Sequence, residues 1–142
     1  MLRNLIWYNR AMNDEFQDRL RKLNEIKEAG ISPYPDKFKR THKCAELHET
    51  KKKDLRKTDD VIAKPGGKIK IAGRLVLMRS HGRLSFAQVQ DDSGKIQICF
   101  MENVLGKSKY KFLRKVDVAD FIGVSGELFV TKHGELTLLV KD

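Results

Sequence analysis

The sequence predicts a mainly β protein, a five-stranded Greek-key barrel preceded by an N-terminal α-helix, on three observations. Five β-rich runs follow one another between residues 68 and 142, divided by turn residues. A helix-like stretch separates the third run from the fourth. Before the barrel, residues 13–29 repeat apolar side chains at helical spacing.

Residues 1–12, MLRNLIWYNRAM, lack acids but carry no small-residue cleavage pattern, so they read as a helix start or an N-terminal extension rather than a transit signal. From Asn13 to Ala29 the apolar positions Phe16, Leu20, Leu23 and Ile26 form one stripe. Asn13 is placed to cap this helix, with Asp14 and Glu15 in its first turn. Gly30 ends it, and Pro33 and Pro35 cannot continue it. The helix is expected to lie against the barrel. Residues 36–57 are rich in charge, with a short helix expected around Ala45 to Thr50. The basic run Lys51, Lys52, Lys53, Arg56 and Lys57 is either a solvated face or a phosphate contact. Thr58 to Gly67 is a turn-rich lead, so residues 13–67 form a helical appendage and linker packing on the barrel, and residues 68–142 form the barrel itself.

The predicted strands are Lys68 to Ser80, Leu84 to Gln90, Lys95 to Met101, Phe121 to Thr131 and Glu135 to Lys141. Glu102 to Val116, with Val104, Leu105, Phe112, Leu113 and Val116 among lysines, reads as a loop turning into a helix that plugs one barrel end. This is the pattern of the OB-fold, whose second and third strands and first and last hairpin loops commonly hold oligonucleotides.

With 29 Lys+Arg against 19 Asp+Glu, the formal charge of +10 on 142 residues favours a polyanionic partner. Two cysteines, Cys44 and Cys99, are too few for a disulfide framework and point to a reducing interior, cytoplasmic with a mitochondrial alternative. No apolar run reaches membrane-spanning length, so no membrane partner is expected. His42, Cys44 and His48 lack a fourth partner at ligand spacing, which leaves them as packing or surface residues and implies no metal. No nucleophile, base and orienting group fall at a recognisable motif, so no catalytic residue is assigned.

Side chains alternate along a strand, which divides each run into two faces. Ile96, Ile98 and Phe100 form the apolar set of the third strand and turn Gln97 outward. In the second strand Ser85, Ala87 and Val89 suit a tight interior, leaving Phe86 beside Gln88 and Gln90. The opposite register would bury those amides, at about 1–3 kcal/mol for each one left unpaired. An exposed Phe86 can stack a nucleobase, worth about 1–3 kcal/mol without choosing among bases, unless the N-terminal helix covers it. Uracil presents two carbonyl oxygens flanking an N–H, so reading it takes donors and an acceptor. Arg79, ending the first strand, and Gln97 can donate; Glu135, opening the fifth, can accept. Each also has a plainer reading, Arg79 as a surface residue and Glu135 as a salt-bridge partner. The loop residues His81, Arg83, Lys132 and His133 complete the candidate RNA-binding set.

From about Phe16 onward the chain resembles the N-terminal anticodon-binding domain of class II lysyl-tRNA synthetases, in RLRKLNEIKEAGISPYPDKF, THKCAELHE, IAGRLVLMRSHGRLSFAQVQDDSGKIQICF and DVADFIGVSGELFVTKHGELTL. The resemblance implies a domain that grips the uridine-rich anticodon loop of lysine tRNA. Phe86 would stack on the central uridine, Gln97 and Arg79 would donate to its edge, and Glu135 would lie near the first two anticodon bases. Met78 stands where the family often has a second basic residue beside Arg79. The family's catalytic domain, which binds ATP and Mg, is not in this sequence; the chain alone is not expected to be an enzyme or to need a cofactor, and a fragment is expected over a free-standing protein. Two further readings compete: a sequence-tolerant single-strand-binding OB-fold protein, and a protein-interaction module using the N-terminal helix and Lys51 to Lys57.

Overall fold

The computed structural model describes residues 2–49 and 69–142. The run Lys51 to Lys57 and the lead Thr58 to Gly67 lie outside the described residues. The chain divides into two compact units, residues 1–37 and 38–142.

The first unit is one long helix, α1 (Leu2–Glu28). It begins eleven residues before the expected start, and Asn13 lies inside it rather than capping it. The physical reason is that residues 2–12 contain no Gly or Pro, so nothing interrupts the ladder on which the Asn13–Ala29 stripe is built. Charged residues brace the exposed side by i,i+4 pairs, Arg21 to Glu25 at 2.7 Å and Lys22 to Asp18 at 2.9 Å. The helix ends as expected at Gly30, whose φ of 74° lets its N–H reach the Lys27 carbonyl while the Ile31 N–H reaches that of Ile26.

The second unit is a closed barrel in the order β1–β2–β3–β5–β4, with β4 pairing back onto β1. Its strands are β1 (Ile69–His81), β2 (Leu84–Gln90), β3 (Lys95–Met101), β4 (Phe121–Val130) and β5 (Leu136–Val140). All pairings are antiparallel except that of β3 with β5. A short helix, α2 (Cys44–His48), belongs to this unit because Cys44 and Leu47 are buried in the barrel core. The Cys44 thiol contacts the Val89 carbonyl, and His48 Nε2 lies 2.7 Å from the Lys95 carbonyl. These two residues therefore have packing and hydrogen-bonding duties, and among the described residues no cluster of His, Cys, Asp and Glu could hold a metal ion.

Inside the barrel, Ile71, Leu75, Ala87, Val89, Ile96, Ile98, Phe100, Val124, Leu136, Leu138 and Val140 form the core. The connection between β3 and β4 is two short helices, α3 (Glu102–Leu105) and α4 (Lys107–Phe112), followed by a 3-10 turn at Leu113–Lys115. Leu105, Tyr110, Leu113 and Val116 pack from it onto the core, as a plug should.

Candidate nucleic-acid interface

Every predicted strand face is found. Ser85, Ala87 and Val89 are buried inside the barrel, as are Ile96, Ile98 and Phe100, which turns Leu84, Phe86, Gln88, Gln97 and Met101 to the outer side. Pairing aligns those outward residues across four strands. Arg79 of β1 stands opposite Phe86 of β2, and Phe86 opposite Cys99 of β3. One step along, Leu77 stands opposite Gln88, Gln88 opposite Gln97, and Gln97 opposite Thr137 of β5. Neighbouring strands lie about 4.8 Å apart, so Arg79, Phe86 and Gln97 occupy one small diagonal of the sheet.

A β-bulge decides the position of Arg79. Strict alternation from Ile71, Gly73 and Leu75 would send Leu77 and Arg79 inward. The register shifts between Leu75 and Leu77, so Met78 packs on the core while Leu77 and Arg79 are exposed. Met78 is therefore on the far side of β1 from the Phe86 platform.

The Phe86 ring is half-buried, and its partners differ from those of the core. Beneath the outer face lies a satellite cluster of Cys99, Phe129 and Leu139, all buried, against which Leu84, Phe86, Met101 and Val104 pack with part of their surface in water. The ring is thus held from one side and open on another, which suits a stacking platform whose own position must not wander. Burial pushes the Cys99 thiol up to about 11, so it serves as packing and not as a nucleophile.

Gln97 is tied on its β5 side. Its Nε2 donates to Thr137 Oγ1 at 2.8 Å, and that hydroxyl donates to the Glu135 carbonyl at 3.3 Å. The Glu135 N–H in turn donates to Thr131 Oγ1 at 3.1 Å. Glu135 and Gln97 are linked through Thr137, while the Glu135 carboxylate stays exposed. Arg79 is also exposed, and among the described residues neither it nor the Glu135 carboxylate has an ion-pair partner.

The two hairpin turns bracket this face from opposite ends. His81 closes β1 and Arg83 lies in the β1–β2 turn, both exposed, beside the Leu84–Met101 pair. The β4–β5 turn holds Lys132 and His133, both exposed, beside Glu135 at the Gln97 end. The candidate residues therefore form a track across the sheet and do not converge on a point. Gly82, at φ 61°, makes the tight first turn. Tyr110 of the plug fixes that turn, donating to the Gly82 carbonyl at 3.2 Å and sharing its hydroxyl with Ser85 Oγ at 2.9 Å.

Sequence reasoning missed Tyr110, Thr137 and Phe129. Phe129 and Thr137 stand in apolar runs and Tyr110 between two lysines, and only strand pairing and the packing of the plug reveal what they support.

The family described as OB-fold nucleic acid binding domain matches residues 69–142, the barrel and its plug. Over 92% of its length the chain is also similar to curated proteins named lysine–tRNA ligase. It is 42% identical to that of Carboxydothermus hydrogenoformans, 39% to that of Pediococcus pentosaceus and, in Lactococcus lactis subsp. lactis, 37%. The chain spans about a quarter of the length of these relatives, 25% of the first and 26% of the other two. Its matched barrel, the outward aromatic on the second strand and the two flanking loops agree in one conclusion: the chain belongs to the family of OB-fold nucleic acid binding domains.

Proposed function

We propose that this chain is the anticodon-recognition module of a lysine–tRNA ligase, binding the uridine-rich anticodon loop of lysine tRNA. One observation carries the reading above all: a half-open phenylalanine on the wet side of a barrel strand, with an exposed arginine opposite it and a tethered amide on the next strand. Phe86 stacks the central uridine. Gln97 meets the Watson–Crick edge of that base, and Arg79 donates to a carbonyl oxygen. Glu135 accepts from the neighbouring anticodon bases, while His81, Arg83, Lys132 and His133 hold backbone from the two turns. Aminoacylation, with ATP and Mg, belongs to a catalytic domain outside this sequence, and the cytoplasm is where the partner tRNA is met.

The test is a titration of the 142-residue chain with the lysine anticodon stem-loop and with copies changed at the central uridine, at several salt concentrations. Base-dependent loss of affinity supports the reading. Equal affinity for every loop with a steep salt dependence would refute it in favour of a sequence-tolerant single-strand binder, because neutralising phosphates is blind to sequence. The charge of +10 is the observation that keeps that second reading alive.

A further inference from the structure

Thr137 is fully buried, at 0% exposure, yet it stands on the outer side of the sheet, between Gln97 of β3 and Phe129 of β4. A threonine there satisfies strand propensity, but valine would do so as well. What the hydroxyl adds is a directed hydrogen bond. It carries one proton, and the Glu135 carbonyl at 3.3 Å takes it, since a carbonyl has none to give. Toward Gln97 the oxygen then only accepts, which requires the amide nitrogen to face it, as the 2.8 Å Nε2 contact has it. The amide oxygen of Gln97 is consequently turned to the other side of the carboxamide, with one N–H left over.

We infer that Thr137 is a positioning residue that fixes the direction of the Gln97 amide and thereby makes the platform discriminate uridine from cytidine. The inference rests on the proposed contact between Gln97 and the stacked base. Uracil offers a donor at N3 with an acceptor beside it, and cytosine offers an acceptor at N3 with an amino group beside it. An amide free to turn over pairs with either base equally well. An amide held with its oxygen presented accepts from the uracil N3–H and meets the cytosine N3 lone pair with its own. Specificity of this kind comes from the repulsive arrangement as much as from the attractive one.

The experiment measures binding of the 142-residue chain to anticodon stem-loops carrying uridine or cytidine at the central position. The wild type is expected to prefer uridine. Thr137→Val removes the hydroxyl at nearly constant shape and should narrow the uridine-to-cytidine ratio of Kd by about five- to tenfold, the worth of one directed hydrogen bond. Thr137→Ser should restore the ratio, which a merely structural role would not require. Should Thr137→Val not fold, Thr137→Ala deletes the same hydroxyl and carries the same expectation. Gln97→Ala separates the two levels of the argument. A ratio that collapses in Gln97→Ala but persists in the folded hydroxyl-less variant overturns the role of Thr137 alone. A ratio unchanged by Gln97→Ala, or absent in the wild type, overturns the Gln97 contact with it.

Discussion

Replacing Asp91 by asparagine should cost the barrel about 2–4 kcal/mol at neutral pH, and the reasons can be counted at the atoms. Asp91 opens the β2–β3 turn with its side chain only 4% exposed. Its Oδ1 accepts from the Ser93 N–H at 2.8 Å, the Ser93 hydroxyl at 2.6 Å and the Gly94 N–H at 3.1 Å. Its Oδ2 accepts from the Cys44 N–H at 2.9 Å, which ties the start of α2 to the barrel, and lies 3.5 Å from Arg40. In Asp91→Asn the first oxygen keeps its three donors, now without charge assistance. The second becomes an NH2 facing the Cys44 N–H, donor against donor. One N–H left unsatisfied costs about 1–3 kcal/mol, and bonds to a charged acceptor are worth more than neutral ones. Burial alone would raise the Asp91 pKa; the bonds from Ser93, Cys44 and Gly94 overcome it and hold the carboxyl well below the usual carboxylate range. A folded pKa below the unfolded value of about 3.9 means that this stabilisation is complete above that pH and is lost as pH falls toward the folded value. Urea unfolding of both proteins between pH 7 and pH 2.5 measures it: the gap should be full at pH 7 and shrink below about pH 4. A gap under about 0.5 kcal/mol at pH 7, the scatter of ordinary surface changes, would refute this account of the turn. So would a gap independent of pH.

Phe86→Ala should weaken stem-loop binding by about 1–3 kcal/mol through lost stacking. Because the ring is half-buried on its satellite cluster, the thermal stability loss should stay well under the ~3–5 kcal/mol of a core phenylalanine; loss of the fold would mean that the ring is core. Tyr110→Phe should destabilise by about 1 kcal/mol and loosen the Gly82 turn, read as faster amide exchange at Gly82 and Arg83 than in the wild type. Burial, with the Asp91 carboxylate adding to it at Cys44, pushes both thiols up to about 11. Alkylation at pH 8 followed by mass spectrometry should therefore label neither in the folded protein and both in urea; rapid labelling of Cys99 without urea would show that its cover opens.

Most of the barrel was legible because its signals are local. Turn residues at Gly82, Ser93–Gly94 and Gly134 punctuate runs whose apolar sets alternate, and the cost of burying Gln88 and Gln90 sufficed to turn Phe86 outward. The start of α1 was not legible, since a capping residue such as Asn13 marks a beginning only where something upstream breaks the ladder. Thr137 was illegible for a different reason. LTLLV is buried at every position, so alternation carries no contrast there, and its register against β3 is set by a parallel pairing with no hairpin to fix it.

Arg79 joins these two kinds of information. Read by strict alternation from Ile71 and Leu75, it belongs inside the barrel, where an unpaired guanidinium could not be tolerated. Its charge therefore demands one extra residue somewhere between Leu75 and the Gly82 turn, and the bulge between Leu75 and Leu77 supplies it. Inserting that residue moves Leu77 into water and Met78 onto the core, an exchange of one apolar side chain for another of similar size. The irregularity is thus nearly neutral for the core and decisive for the outer face, where it brings a guanidinium opposite the one aromatic ring of β2.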